Sequence, residues 1–235
     1  RVYLEGYEQL TRQAQALRWP KRPKAIWTSN SFHSDDVFKV WAADKVENGS
    51  PLIIGQHGGN YGMGLWNWPE QHEIAISDRY LTWGWSRPAS PKLRAVGKIK
   101  YSRPITQLSE QGGAILVTVM LQRYGNPTLS MYTSSQWLDY LRDQFEFVDA
   151  LPVHIQNELI VRLSQPDYGW RQVDRWRDRY PTLQIDDGCS DINKLIRRSR
   201  LYISTYNATT YLESLSMNLP TVIYWNPRYM ETNVW

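Results

Sequence analysis

Apolar and polar positions alternate in blocks along the last part of the chain: LYIS, then TYNAT, then TYLESLSMN, then TVIYW. The blocks predict a strand over 201–204, a short polar loop over 205–209, a helix over 210–218 and a strand over 221–225. Pro220 punctuates the helix-to-strand junction. Near the start, Tyr7, Leu10, Ala14 and Leu17 follow helical spacing within 1–20, and 25–28 reads as a short strand before the polar loop SNSFHSDD. Asp35 or Asp36 can cap a helix bearing Val37, Val40, Trp41 and Val46, closed by Asn48-Gly49. A buried strand over 51–54 enters a glycine-rich loop, and strands over 74–76, 80–83 and 94–96 follow.

A second series starts at 114–121, a near-continuous apolar run of the fully buried strand type. It continues with a helix over 135–148, a strand over 159–163, a helix around 170–179, a strand over 183–185 and a helix over 191–198. Strands alternating with helices imply an α/β protein with parallel sheets and helices on both faces. The polar stretch GKIKYSRPITQLSEQG at 97–112 separates the two series. The expected organisation is a first domain over 1–96, a linker over 97–112 and a second domain over 113–235. The chain starts without Met and stops just after a strand, and so reads as a piece of a longer protein truncated at both ends.

Composition narrows the class. At 235 residues, with 42% hydrophobic and 21% charged residues, the chain is an ordinary globular protein with room for two modest domains. One cysteine excludes an internal disulfide framework and fits a reducing compartment. No apolar run nears the roughly 18 residues of a membrane span. A net charge of +4 suits an anionic substrate or a membrane surface and is too weak to argue for nucleic acid. The 12 Trp and 15 Tyr, beside 4 Phe, are expected mostly in the cores.

Three places carry chemistry. The loop Gly55-Gln56-His57-Gly58-Gly59-Asn60-Tyr61-Gly62-Met63-Gly64 holds five of the 14 glycines directly after a strand. It lacks both the P-loop ending and the dinucleotide spacing. His57, at the strand's carboxyl end, is a candidate general base or hydrogen-bond donor. The loop at 205–209 and the helix start after it offer Thr205, Asn207, Thr209 and Thr210, where free N–H groups and the helix dipole favour an anion. Glu213 can either accept a ribose's hydroxyls or close a capping box with Thr210. Arg123, just after the strand at 114–121, and Arg162, within the strand at 159–163, are candidate phosphate ligands, with a surface or ion-paired arginine as the alternative for each. His33 with Asp35 and Asp36, and His72-Glu73, are metal-ligand types without metal-ligand spacing, so no metal site is expected.

The motifs LIIGQHGGNYG, HEIAISDRYLTWGW, VGKIK, DYGW and STYNATTYLESLSMNLPTVIYWNP resemble, in this order, a bacterial family of transferases encoded with surface-polysaccharide genes. Their arrangement is similar to that of GT-B glycosyltransferases. The resemblance implies two Rossmann-like domains, with a nucleotide-sugar donor bound in the second. It implies that Glu213 holds the donor's ribose and that Thr209 and Thr210 hold its phosphate. His57 would serve as base or donor contact, with no bound metal and no cofactor. Asn207-Ala208 stands where the family pattern has a glycine. The implied acceptor is a glycan or lipid-linked saccharide, in the cytoplasm or peripherally at the inner membrane face, with no nucleic acid partner. Two alternatives stay open: a nucleotide-sugar epimerase of the same architecture, and a catalytically silent sugar-binding or scaffold domain.

Overall fold

The computed structural model describes residues 1–97, 104–105, 109, 112–125, 127, 129–207 and 209–233. Most of the expected linker over 97–112, and Ala208, lie outside these residues. The chain divides into two compact units, one of residues 1–57 with 68–100 and one of residues 58–67 with 101–235. Residues 58–67, the larger part of the glycine-rich loop, thus belong to the second unit, although they fall within the stretch 1–96.

The first unit runs α1 (Val2–Glu5), α2 (Tyr7–Ala16), β1 (Ile26–Thr28), α3 (Ser31–Ser34), α4 (Asp36–Glu47), β2 (Leu52–Gly55), α5 (Trp68–Ile76), β3 (Arg79–Thr82) and β4 (Leu93–Ala95). Its strands form a parallel sheet in the order β1-β2-β3-β4, with Ile53 between Trp27 and Arg79. Asp35 caps α4: its carboxylate accepts from the Phe38 N–H at 2.9 Å. The expected strand over 74–76 is instead the last turn of α5. The helix buries Glu70 and Glu73, so its inward face is acidic and hydrophobic periodicity alone misreads it.

The second unit runs β5 (Ala114–Val117), a 3₁₀ turn (Ser134–Gln136), α6 (Trp137–Asp149), α7 (Val153–Asn157), β6 (Leu159–Arg162), α8 (Gln172–Arg179), β7 (Gln184–Asp186), α9 (Ile192–Arg198), β8 (Leu201–Ser204), α10 (Thr209–Ser216) and β9 (Thr221–Ile223). Five parallel strands lie in the order β7-β6-β5-β8-β9. In order of appearance this is 3-2-1-4-5, the doubly wound pattern, whose topological switch falls between β5 and β8.

β5 is buried throughout, and its alternate residues point to opposite faces. Ala114 and Leu116 join a core with Trp137, Tyr140, Leu141, Val161 and Trp176. Ile115 and Val117 join a second core with Ile196, Tyr202, Tyr211 and Leu219. Both faces are therefore covered, which explains why the strand reads as a continuous apolar run rather than an alternating one. Trp137 and Trp170 stack at 4.4 Å between ring centroids within the first core.

Candidate functional site

In the second unit, a cavity of about 320 Å³ opens at the carboxyl ends of β5, β6 and β8. Val117 and Thr118 follow from β5, Arg162 ends β6, and Tyr206 and Thr210 come from the loop and helix after β8. This is the switch point, where ligands of open α/β sheets bind. The loop after β8 is anchored from below. Thr205 Oγ1 lies 2.5 Å from the Tyr140 hydroxyl and donates to the Val117 carbonyl at 2.9 Å, and the Tyr140 hydroxyl also accepts from the Val119 N–H at 2.8 Å. Tyr140 is fully buried on α6, and burial pushes its hydroxyl pKa well up, so it stays a neutral structural pin.

The expected donor residues divide between lining the cavity and supporting it. Thr210 lines it within the first turn of α10. Because α10 begins at Thr209, Thr210 sits inside the helix rather than at a cap position. Thr209 supports it: its hydroxyl accepts from the Gly59 N–H at 3.2 Å. Asn207 is 4% exposed, and its side-chain NH₂ has no hydrogen-bond partner among the described residues. A buried amide donor left unmatched costs about 1–3 kcal/mol, so it marks a place suited to an external acceptor. Glu213 is buried one turn further along α10.

Arg162 lines the cavity but is already engaged. It pairs with Asp186 and donates to the Gly188 carbonyl at 2.8 Å. Burial pushes the Asp186 carboxyl pKa up, but the Ser190 hydroxyl, the Gly188 N–H and the Arg162 guanidinium outweigh it and hold the carboxyl low. Arg123 is exposed and lies outside the cavity lining. It donates to the Gly169 carbonyl at 3.1 Å and lies over the Trp170 ring at 5.5 Å.

Residues 58–67 are stitched into the second unit by short contacts. The Tyr211 hydroxyl meets Met63 Sδ at 2.8 Å, the Leu65 N–H donates to the Glu231 carbonyl at 3.1 Å, and the Trp66 N–H donates to Ser130 Oγ at 2.8 Å. Gly62 adopts φ +80°, a backbone state that favours glycine. Gly58 and Gly59 continue the loop beside a buried Tyr61. Gly55 ends β2 in the first unit, where the Gln56 side-chain oxygen accepts from the Trp83 N–H and the Trp85 indole N–H, each at 2.8 Å. Gln56 therefore latches the ends of that unit's sheet.

His57 stands at the carboxyl end of β2 with two residues that no sequence spacing connects to it. His33 on α3 places Nε2 3.3 Å from Glu73 Oε1, and His57 Nδ1 lies 3.8 Å from the same oxygen. Glu73 is wholly buried on α5, and its other oxygen accepts from the Tyr80 hydroxyl of β3 at 2.9 Å. Burial lowers the pKa of both imidazoles. Lys39 adds to this at His33, and His33 adds to it at His57, where the Ser29 carbonyl opposes it as a hydrogen-bond acceptor. In the sequence, His33 reads with Asp35 and Asp36, and Glu73 with His72. Four elements of the sheet layer bring them together instead.

Two parallel α/β units, the second doubly wound with a cavity at its switch point, are consistent with a GT-B-like fold of two Rossmann-like domains. The crystal structure of MurG from Acinetobacter baumannii, a GT-B glycosyltransferase, aligns with a TM-score of 0.51 at 14% identity. The alignment covers 95% of this chain and 57% of that one, so the chain spans a little over half the length of the matched structure. The profile described as LIC12162 family transferase matches residues 1–234, and the chain belongs to that family. No curated protein matches the sequence.

Proposed function

We propose that this chain is a glycosyltransferase that moves a sugar from a nucleotide-sugar donor to a glycan or lipid-linked acceptor in surface-polysaccharide synthesis. The observation that carries the reading is the second unit's cavity, which joins a switch point, the Thr210 hydroxyl and the first turn of α10. There, helix N–H groups and the dipole stabilise a leaving phosphate as its charge develops, so the donor requires no Mg²⁺. Arg162, paired with Asp186 and bonded to the Gly188 carbonyl, brings its guanidinium to the cavity lining. Asn207 and Thr209 border the phosphate, and Glu213 accepts from the ribose hydroxyls. His57, within its histidine–carboxylate cluster, takes the acceptor's proton. Arg123 is left out of the donor set, because it donates to the Gly169 carbonyl outside the cavity lining.

A cytoplasmic enzyme working peripherally at the inner membrane face fits two features. A groove is lined by the basic side chains of Lys21, Arg22, Lys24 and Lys45, and no helix among the described residues is long and apolar enough to cross a membrane. The test is incubation of the full-length protein with a panel of nucleotide sugars, with and without saccharide acceptors, in Mg²⁺-containing and Mg²⁺-free buffer. Acceptor-dependent nucleotide release, equal in both buffers, is expected. Sugar isomerisation without acceptor would replace the reading with an epimerase, and binding without turnover would replace it with a scaffold. Glu213→Gln separates ligand contact from helix support: reduced nucleotide affinity at unchanged melting temperature is expected, and the reverse pattern removes Glu213 from the site.

A further inference from the structure

We infer that His33, His57 and Glu73 form a binding site for one divalent transition-metal ion of the zinc type in the first unit. Each residue offers one ligand atom, and all three atoms lie within 4.8 Å of one another. Zinc–ligand bonds of about 2.0–2.2 Å put neighbouring ligand atoms of a tetrahedral site about 3.3–3.6 Å apart. The two measured separations, 3.3 Å and 3.8 Å from Glu73 Oε1, bracket that spacing. A charge-assisted hydrogen bond would be shorter, about 2.7–2.9 Å. Neither imidazole is that close to the carboxylate, although His33 Nε2 at 3.3 Å is within reach of a longer hydrogen bond to it. Both nitrogens converge on one oxygen at the separation of groups that share an ion, with ring planes turned 73° apart.

The surroundings supply what a metal site needs beyond its ligands. The Tyr80 hydroxyl holds Glu73 Oε2 and so turns Oε1 toward the imidazoles, and the Ser29 carbonyl orients the His57 ring. Such partners fix ligand direction in known metal sites. The ligands come from α3, the end of β2 and α5, so a folded sheet layer pre-forms the set. His33 is 32% and His57 29% exposed at the side chain, while Glu73 is fully buried. An ion can therefore enter from the solvent side, where His33 also lines a cavity of about 580 Å³ with Phe32, Trp68 and His72. Two imidazole nitrogens and one carboxylate oxygen select a borderline-soft ion over Mg²⁺ or Ca²⁺, and three protein ligands leave a coordination position open.

This inference does not depend on glycosyl transfer: with Nδ1 on the ion, His57 would serve as a ligand in place of the acceptor's base, and the test is read without substrate. The full-length protein, stripped with a chelator and dialysed, is titrated with Zn²⁺ by calorimetry and with Co²⁺ by visible absorption. One ion per chain is expected, with a Co²⁺ spectrum of low-coordinate geometry and a Zn²⁺-dependent rise in melting temperature. His33→Ala, at a partly exposed position, should keep the fold and weaken binding at least about 10-fold. Tyr80→Phe, which releases the carboxylate, should weaken it about 10- to 100-fold. His72→Ala should bind as the unaltered protein does. No stoichiometric binding to the unaltered protein, equal binding by His33→Ala, or loss of the ion in His72→Ala would each overturn the assignment.

Discussion

Asn207 and Arg162 show how single side chains separate support from binding. The Asn207 side-chain NH₂ is buried with no hydrogen-bond partner among the described residues, so its removal should cost the fold little. Asn207→Ala is expected to melt at or slightly above the unaltered protein while losing about 10-fold in nucleotide affinity, equivalent to about 1.4 kcal/mol. Calorimetric binding beside a thermal melt measures both. Arg162 behaves differently, because Asp186 depends on it at side-chain exposures of 14% and 9%. Arg162→Ala should cost about 3 kcal/mol, since a carboxylate is left inside without its partner. The Asp186 carboxyl is held low in the folded state, so its contribution is present above the ordinary carboxylate range and lost as pH falls through the folded value. Denaturant midpoints of the unaltered protein should therefore fall below about pH 4, and the variant should show a shallower fall.

At the scale of elements, the cavity exists because three loops are held at fixed heights above the sheet. Tyr140 pins the loops after β8 and β5, and Arg162 pins the loop after β7 through Gly188. Gly188 has φ +98°, and a Cβ there would lie 2.3 Å from the Gln165 backbone nitrogen. Gly188→Ala combines an unfavourable backbone state with a clash that no side-chain rotation relieves. It should lower stability by about 1–3 kcal/mol and nucleotide affinity with it, because Gln165 and Gly188 both line the cavity. Equilibrium unfolding and nucleotide titration of the same variant check the pair. The helix at 210–218 was legible because a polar loop and Pro220 bound its block on either side, although its buried residues include Glu213 and Ser214. The helix α5 was not, because its buried face carries Glu70 and Glu73. A pattern rule scores those carboxylates as solvent-facing, and only the packing of Arg87 and Tyr80 against them makes them interior.

For the whole molecule, the division into two units makes a functional prediction. On the proposed reading the nucleotide-contacting residues belong to the second unit, and His57 belongs to the first. His57→Ala should therefore leave nucleotide affinity within about 2-fold while acceptor-dependent turnover falls about 10²- to 10⁴-fold. Steady-state rates and equilibrium binding on one preparation distinguish this from general damage, which would lower both. Read as a string, the chain specifies much: the α/β class, parallel sheets, the buried strand at Ala114, the loop-and-helix start at Thr210 and the family motifs. These are local features, because hydrophobic period, caps and glycine positions act over a few residues. The string leaves open what depends on residues far apart. It does not assign residues 58–67 to the second unit, set Arg162 on Asp186, or gather His33, His57 and Glu73 around one oxygen. Those placements follow from strand order and register, which bring the ends of separate segments together and carry no signature in any one of them.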